Sequence, residues 1–187
     1  MTTKLLRHLM QLTTPRLVLR PYRKEDTDAF LPLLCQDQAH LADYFFNLLK
    51  TAASREHLAQ YFAQKQQDWA ADKGYACGIF LAATQQPIGH VSVRDIDWRV
   101  PKGELAYFLF SPFTGQGLAA EALAAFRTWC CAEKHFQRLF LKIAPDNAAS
   151  LKTAERCGFL PEGLLRRDYR KKEQTLVDML LYAYLPA

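Results

Sequence analysis

A turn bracketed by glycines, directly before an alanine- and leucine-rich segment, constrains this chain more than any other feature. Residues 111–126 read SPFTGQGLAAEALAAF, with Gly115 and Gly117 on either side of Gln116. Glycine adopts positive φ angles and lets a backbone approach a ligand closely, and the first N–H groups of a helix attract negative charge. The pattern predicts an anion-binding loop at a helix start. The alternative is a tight turn without a ligand, because glycine is common in turns.

Segments with strand and helix periodicity alternate along the rest of the chain. Apolar and polar residues alternate in residues 16–22, as in a half-buried strand, and further short apolar runs predict the other strands. Apolar residues recur every three or four positions in residues 55–70 and 118–133, and helix-start signals mark the other two helices. Hairpins and crossovers are both implied, so we expect an α/β fold around one mixed sheet. Pro32 is expected to end or kink the first helix. The predicted strands cover residues 16–22, 75–83, 88–96, 103–110, 138–144, 159–167 and 175–185, and the predicted helices cover residues 24–34, 55–70, 118–133 and 147–157.

The composition is that of an ordinary globular protein. The 187 residues, 50% of them hydrophobic, suit a single domain spanning residues 1–187. No apolar run approaches the roughly 18 residues of a membrane span, and Lys4, Arg7 and His8 interrupt the N-terminal leucines, unlike a secretory signal. The five cysteines are odd in number and contain no C-x-x-C pair, which favours reduced core thiols over a disulfide framework or a zinc site. We therefore expect a cytoplasmic protein.

The positive charge of the chain limits the kinds of partner. A formal net charge of +5 suits a polyanion or a small anion, so nucleic acid stays open as the weaker alternative. The basic segment from Arg166 to Lys172 is predicted to be a solvated turn between the last two strands, and the alternative is that it guides an acidic substrate. His8, His40, His57 and His135 show no metal-ligand spacing, so no metal is expected.

Two common phosphate-binding motifs do not fit the glycine loop. A Walker loop needs a lysine followed by serine or threonine after its last glycine, and neither is present. A Rossmann loop needs a third glycine after the first strand, whereas Ala120 stands at that position here.

The loop instead resembles that of the GNAT superfamily of acetyl-CoA-dependent N-acetyltransferases. Within the superfamily, the chain is similar to the RimJ/RimL-like branch, which acetylates protein N-termini, including those of ribosomal proteins. The family loop reads Q/R-x-x-G-x-G/A, and Thr114 to Ala119 match it in the glycine and in the final small residue. Thr114 departs from the usual Gln or Arg, which removes one expected side-chain contact and leaves the backbone of the loop available.

Three further segments carry the same resemblance. TPRLVLRPY resembles the first strand of the branch, GELAYFLFSPFTGQGLAAEAL its strand-loop-helix signature, and PDNAASLKTAERCGFLPEG its N-x-x-S…G-F segment, through Asn147, Ser150, Gly158 and Phe159. The resemblance extends from about Thr14 to Leu185. It implies the GNAT acyl-CoA N-acyltransferase fold, with a mostly antiparallel mixed sheet of about seven strands flanked by helices.

For the acetyl donor, the resemblance implies a set of acetyl-CoA contacts. The backbone amides of Gly115, Gln116, Gly117, Leu118 and Ala119 are expected to bind the pyrophosphate. A free backbone N–H near Leu109 or Phe110, where family members splay this strand from the next, would polarise the thioester carbonyl. Asn147 would bond the pantetheine arm, cap its helix, or do both.

For catalysis, the resemblance implies two side chains. Glu104 is the candidate base, directly or through water, and the alternative is an exposed strand carboxylate. The acceptor α-amine has a pKa of about 7.7–8.0, so a modest base suffices. Some relatives use a tyrosine acid in the second helix, where this chain has Ala154. Ser150 is the candidate donor to the departing sulfur, and the alternative is a local helix hydrogen bond.

Other reactive side chains have plainer interpretations. His90 is predicted to be a satisfied polar strand residue rather than a base. Cys130, Cys131 and Cys157 lie on amphipathic helices and are interpreted as core thiols rather than nucleophiles.

The function predicted from these residues is acetyl transfer from acetyl-CoA to a primary amine, and the favoured acceptor is a protein N-terminal α-amine. The alternatives are a small amine acceptor, such as a polyamine, an amino acid or an antibiotic, and a GNAT-fold module that binds CoA or nucleic acid without turnover. The expected partners are acetyl-CoA and the amine acceptor, with no membrane, and the protein is expected to be a monomer or a homodimer.

Overall fold

One sheet of eight strands runs through the molecule. The computed structural model describes residues 10–171 and 173–186, so the predictions made for His8 and the N-terminal segment to residue 9, and for Lys172, lie outside the described residues. The spatial order of the strands is β1-β2-β3-β4-β5-β6-β8-β7. The strands are β1 Leu12–Thr13, β2 Leu17–Pro21, β3 Tyr75–Leu81, β4 Pro87–Asp97, β5 Lys102–Leu109, β6 Arg138–Ile143, β7 Leu160–Arg170 and β8 Leu176–Tyr184.

In the described residues, six α-helices cover the two faces of this sheet, two more than the periodicity predicted. The additional helices, α2 and α3, span too few turns to establish an apolar stripe. The first helix continues through Pro32 and ends at Gln36. Pro32 therefore does not end the helix. The helices are α1 Thr27–Gln36, α2 Gln38–Leu41, α3 Phe46–Thr51, α4 Arg55–Ala70, α5 Leu118–Lys134 and α6 Ala148–Arg156.

The middle of the sheet opens where its only parallel pair diverges. Strands β5 and β6 pair only through residues 102–104 and 138–140, whereas β5 stays paired with β4 as far as Leu109. All other neighbouring strands in the described part of the chain are antiparallel. The expected mostly antiparallel mixed sheet is therefore confirmed, and the two-residue β1 brings the strand number to eight.

Each face of the sheet carries its own apolar core, because side chains on a strand alternate between faces. Leu105 and Leu109 of β5 point to the face covered by α5 and α6. Phe108, one position away, points to the face covered by α1 and α4, where it packs with Phe30 and Phe62. The apolar side predicted for α5 is confirmed, and its buried residues are Leu118, Ala122, Leu123, Phe126, Trp129 and Cys130.

The C-terminal hairpin differs from its prediction. Residues 166–170 continue β7 instead of forming a solvated turn, and the connection to β8 begins only at Lys171. A register shift between Leu165 and Tyr169 marks a β-bulge in this segment, and such a bulge increases the local twist. The end of β7 lies beside Tyr44, whose carbonyl accepts a hydrogen bond from the Tyr169 hydroxyl at 3.2 Å. In the ranges that the structure describes, no helix is long and apolar enough to span a membrane.

Candidate active site

The glycine loop forms an open backbone surface at the start of α5. Gly115 and Gly117 have φ angles of 74° and 75°, in the left-handed region where a side chain is strained. A Cβ atom added to Gly115 would meet nothing within 4 Å. The N–H groups of residues 115–119 donate to no acceptor in the described part of the chain. Such unpaired amides at a helix start fit a phosphate group.

A salt bridge from Arg16, just before β2, braces this loop, which the sequence reading did not foresee. The Arg16 side chain donates to Glu121 Oε2 of α5 at 2.6 Å and to the Gln116 carbonyl at 3.0 Å. The Thr14 hydroxyl donates to the other Glu121 oxygen, also at 2.6 Å. Arg16 therefore puts a guanidinium beside the loop, where Thr114 replaces the Gln or Arg expected from the resemblance. The Arg16 side chain is 50% exposed, so its charge faces outward as well.

The opening between β5 and β6 holds a cavity of about 390 Å³, the thioester cleft. Glu104 and Ser150 lie on its wall, although the sequence separates them by a helix and a strand. Asn147 lies beside Ser150 and caps α6, since its Oδ1 accepts from the Ser150 N–H at 3.1 Å, as predicted. The cleft is lined by residues from both faces of the sheet, including Arg94, Glu104, Tyr107, Lys142, Asn147 and Ser150.

The strand register separates the two candidate backbone donors. The Phe110 N–H donates to the Ile88 carbonyl at 2.9 Å, so it is not free. That bond makes Leu109 and Gly89 a non-hydrogen-bonded pair, in which both residues direct their N–H groups away from each other's strand. Because β6 pairs only with residues 102–104, the Leu109 N–H points into the opening. Leu109 is therefore the residue with an available donor, and Phe110 is not.

Ser150 is paired with a tyrosine that the sequence reading missed. Its Oγ lies 2.8 Å from the Tyr107 hydroxyl, so the alternative of a purely local helix bond is wrong. Burial raises the pKa of Tyr107 to about 12, so the phenol stays protonated at neutral pH. Tyr107 shares a face of β5 with Leu105 and Leu109, and the two-residue period of a strand was the signal that these three residues lie on one face.

Glu104 is a buried carboxylate held by two cations. Only 7% of the residue is exposed, so the alternative of an exposed strand carboxylate is wrong. The Arg94 guanidinium donates to its Oε1 at 2.6 Å, and Lys142 Nζ lies 4.0 Å from its Oε2. Lys142 also binds Asp168 of β7 at 2.8 Å, which ties the cleft to the C-terminal hairpin.

A larger cavity of about 600 Å³, the acceptor cavity, adjoins the cleft on the α4 face. Helix α4 contributes Tyr61 and Lys65, and the end of the hairpin contributes Arg170 and Lys171. The two cavities have five lining residues in common and are therefore adjacent. The shared lining residues are Tyr44, Phe45, Arg94, Ala106 and Tyr169.

Comparison with known proteins identifies this arrangement. A family model described as an acetyltransferase (GNAT) domain matches residues 16–160. The chain belongs to the GNAT acetyltransferase family. It is accordingly an acyltransferase, and acetyl-CoA is its co-substrate. The open loop amides and the sheet opening of this GNAT domain fit that co-substrate.

Curated relatives and solved structures agree with the family. N-acetyltransferase p20 of Bacillus licheniformis is 28% identical over 177 residues, which cover 93% of this chain and 95% of the relative. Ribosomal-protein-serine acetyltransferase of Escherichia coli is 30% identical over 95 residues, 51% of this chain and 53% of the relative. The structure of RimL, a ribosomal L7/L12 alpha-N-protein acetyltransferase in complex with coenzyme A, superposes with a TM-score of 0.86 at 21% identity, over 94% of this chain and 98% of that chain. At that identity it shows a shared fold.

His90 of this GNAT domain lies under the acceptor cavity and is bonded at both ring nitrogens. Its Nδ1 contacts the Tyr22 hydroxyl and its Nε2 the Ser92 hydroxyl. Burial, and then the charges of Lys65 and Arg94, lower the pKa of His90 to about 3. The imidazole is neutral at physiological pH and both nitrogens are engaged, which agrees with the prediction of a satisfied polar strand residue.

The cysteines of this GNAT domain are unpaired, and most are core residues. Cys77, Cys130 and Cys157 are buried, as expected of core thiols, and burial raises the pKa of each. Cys131 is half-buried, and Cys35 of α1 is exposed, contrary to the expectation of a core thiol. Within the described ranges, no group of three or more histidine, cysteine, aspartate or glutamate side chains has the arrangement of a metal site.

Proposed function

We propose that this GNAT enzyme transfers the acetyl group of acetyl-CoA to the N-terminal α-amine of a protein. The observation that carries the proposal is the shared boundary of the two cavities, which lets an amine in the acceptor cavity meet a carbonyl in the thioester cleft. An acceptor cavity of about 600 Å³ lies within the range of about 300–1,000 Å³ that is typical of ligand pockets. It can therefore enclose several groups of a ligand. The names of the Escherichia coli relative and of RimL support the same acceptor class.

Backbone groups hold the donor in this proposal. The amides of Gly115, Gln116, Gly117, Leu118 and Ala119 bind the pyrophosphate, since they have no other acceptor in the described residues. Asn147 contributes its amide nitrogen to the pantetheine arm, while its Oδ1 caps α6. The Leu109 N–H, directed into the sheet opening, donates to the thioester oxygen as negative charge develops there.

Three side chains move protons in this proposal. The amine nitrogen bonds to the carbonyl carbon, and its proton passes through a bridging water to Glu104 on the cleft wall. The carbon–sulfur bond then breaks, and the Ser150 hydroxyl donates a proton to the departing thiolate. Tyr107, 2.8 Å from Ser150 Oγ, relays a proton from solvent to the serine, so that both hydroxyls are protonated after turnover, and Glu104 returns its proton to solvent. The α-amine is already partly neutral at pH 7–8, so a modest base suffices.

The alternative of a polyamine acceptor is disfavoured by charge. Lys65, Lys73, Arg94, Arg170 and Lys171 line the acceptor cavity, against Asp68 as its one lining carboxylate among the described residues. A polycation would meet like charge there. We place the reaction in the cytoplasm, where the five unpaired thiols suit a reducing compartment.

The test is a comparison of acceptors under one set of conditions. CoA release is measured with peptides that begin with Ala or Ser, with the same peptides blocked at the α-amine but carrying an internal lysine, and with spermidine and free amino acids. We expect kcat/KM to be highest for the free N-terminal peptides, because small amines lack the remote contacts that stabilise the transition state. Efficient turnover of a small amine, with every peptide inert, would show that the acceptor is not a protein.

A further inference from the structure

The lining of the acceptor cavity is strongly basic. Its cations come from α4, from the segment before β3, from β4 and from the end of the hairpin. Among the described residues they number five, against the single carboxylate of Asp68. Elements far apart in the sequence thus deliver charge of one sign to one space. Partly desolvated like charges repel each other, so the arrangement raises the local affinity for an anion.

Three of the five cations have carboxylate partners, and two do not. Lys65 pairs with Asp68 at 2.9 Å, Lys171 with Asp43 at 2.9 Å and Arg94 with Glu104 at 2.6 Å. Lys73 and Arg170 form no ion pair within the described residues.

These two cations have only weaker neighbours. Lys73 is near enough to Asp68 to influence its pKa, and Arg170 donates to the Gln174 carbonyl at 3.3 Å. Their charges are the ones left for a ligand.

The cavity floor adds a fixed neutral donor. The Tyr22 hydroxyl is buried, and the His90 Nδ1 is its one acceptor among the described residues, so the tyrosine donates to it. The His90 Nε2–H then donates to Ser92 Oγ, 3.0 Å away. Because Ser92 Oγ already accepts this hydrogen bond, the Ser92 O–H is left to donate to a further acceptor. Ser92, 91% buried, lines the acceptor cavity.

We propose that the acceptor cavity recognises a carboxylate side chain near the N-terminus of an acidic peptide. The Ser92 hydroxyl donates to an oxygen of the bound peptide, and Lys73 and Arg170 attract its negative charge. Tyr44, Tyr61 and Tyr169 form aromatic walls for the intervening peptide groups. This inference rests on the proposed N-terminal acetylation and adds the substrate class.

The experiment uses paired peptides on the full chain. The peptides Ser-Asp-Glu-Gly-Ala-Tyr-amide and Ser-Asn-Gln-Gly-Ala-Tyr-amide differ only in charge. We expect kcat/KM to favour the acidic peptide about tenfold at low salt, and the preference to shrink at 0.5 M NaCl because salt screens exposed charges. In the double variant Lys73→Gln with Arg170→Gln, the ratio of the two kcat/KM values should fall to about two.

A matched control separates a local from a general charge effect. Lys24 is exposed and does not line either cavity, so Lys24→Gln should keep the wild-type ratio. Equal kcat/KM for both peptides in the wild type overturns the carboxylate subsite while N-terminal acetylation stands. A ratio that is unchanged in the double variant, or that falls equally with Lys24→Gln, overturns the subsite as well. If neither peptide is acetylated but a small amine is, the proposed function itself fails.

Discussion

The glycine loop and the acceptor cavity lie beside the same sheet, but they present different chemical groups to a ligand. The loop presents backbone amides, and its shape depends on two glycines with one residue between them. The acceptor cavity presents long side chains that come from α4, β4 and the end of the hairpin. A backbone site recognises phosphate in any chain with the right turn, whereas a side-chain site changes its ligand with each substitution. The loop has a local sequence pattern that points to the family. The acceptor depends on individual side chains around the cavity, and it is therefore a proposal.

The largest expected effect comes from filling the loop. Gly117→Glu places a strained side chain and a negative charge at the donor site, so we expect acetyl-CoA affinity to fall more than about 100-fold, in line with an unpaired like charge at a binding site. Thermal unfolding in the presence of acetyl-CoA measures this, because a ligand of the native state raises Tm. The apo Tm should fall by only a few degrees, the cost of a side chain at the positive φ of Gly117.

Gly163→Glu is the matched control for this charge. A Cβ atom at Gly163 meets nothing within 4 Å, and its φ is not in the left-handed region. An equal loss of the acetyl-CoA response in both variants would contradict a local role for the loop.

The next largest effect tests the cleft. Ser150→Ala should lower kcat about 100-fold, the lower end of the range of general acid catalysis, and leave the acetyl-CoA Kd within about twofold, because its proton matters only as the thiolate forms. Tyr107→Phe should lower kcat less, since the serine remains. Single-turnover kinetics measures the rate of acetyl transfer, and titration calorimetry measures the acetyl-CoA Kd. The control is Thr128→Ala, which removes a hydroxyl from the exposed side of α5. A Ser150→Ala enzyme with wild-type kcat would remove the serine from the mechanism.

A smaller, pH-dependent effect tests the base. Glu104→Gln should depress kcat/KM up to about tenfold near pH 6.5 and less near pH 8.5, because fewer acceptor amines are neutral at the lower pH. The pH profile with one peptide measures this. A uniform loss at every pH would assign Glu104 the structural role of holding Arg94 instead.

The smallest effect concerns the floor of the acceptor cavity and is one of stability. The pKa of His90 is about 3 in the folded protein and about 6.5 in the unfolded chain, so only the unfolded chain takes up a proton as the pH falls below 6.5. The neutral, buried His90 therefore stabilises the fold fully above pH 6.5. As the pH falls toward 3, the free energy of unfolding decreases by up to about 1.4 kcal/mol per pH unit. In urea titrations, His90→Gln should flatten the decline between pH 6.5 and pH 4.5. The exposed His57, changed to Gln, should leave the wild-type decline, and an equal change in both variants would contradict the assignment.

Local periodicity and turn chemistry were sufficient for most of the fold. The strands near the sheet centre, the α5 stripe and the Asn147 cap follow from residues close together in the sequence. The short helices α2 and α3 and the continuation of β7 through the basic segment did not follow. They are held by tertiary contacts, such as that of Tyr169 with Tyr44, rather than by a local pattern.

For the site, the sequence by itself determined the glycine loop and the positions of Glu104, Asn147 and Ser150. Only the tertiary structure decided that Leu109 and not Phe110 has an available N–H, because strand register sets the direction of each amide. It also decided the pairing of Ser150 with Tyr107, the bracing by Arg16 and the basic lining of the acceptor cavity. The physical reason is distance along the chain: 43 residues separate Ser150 from Tyr107, and no local pattern records which face of a strand will meet which helix.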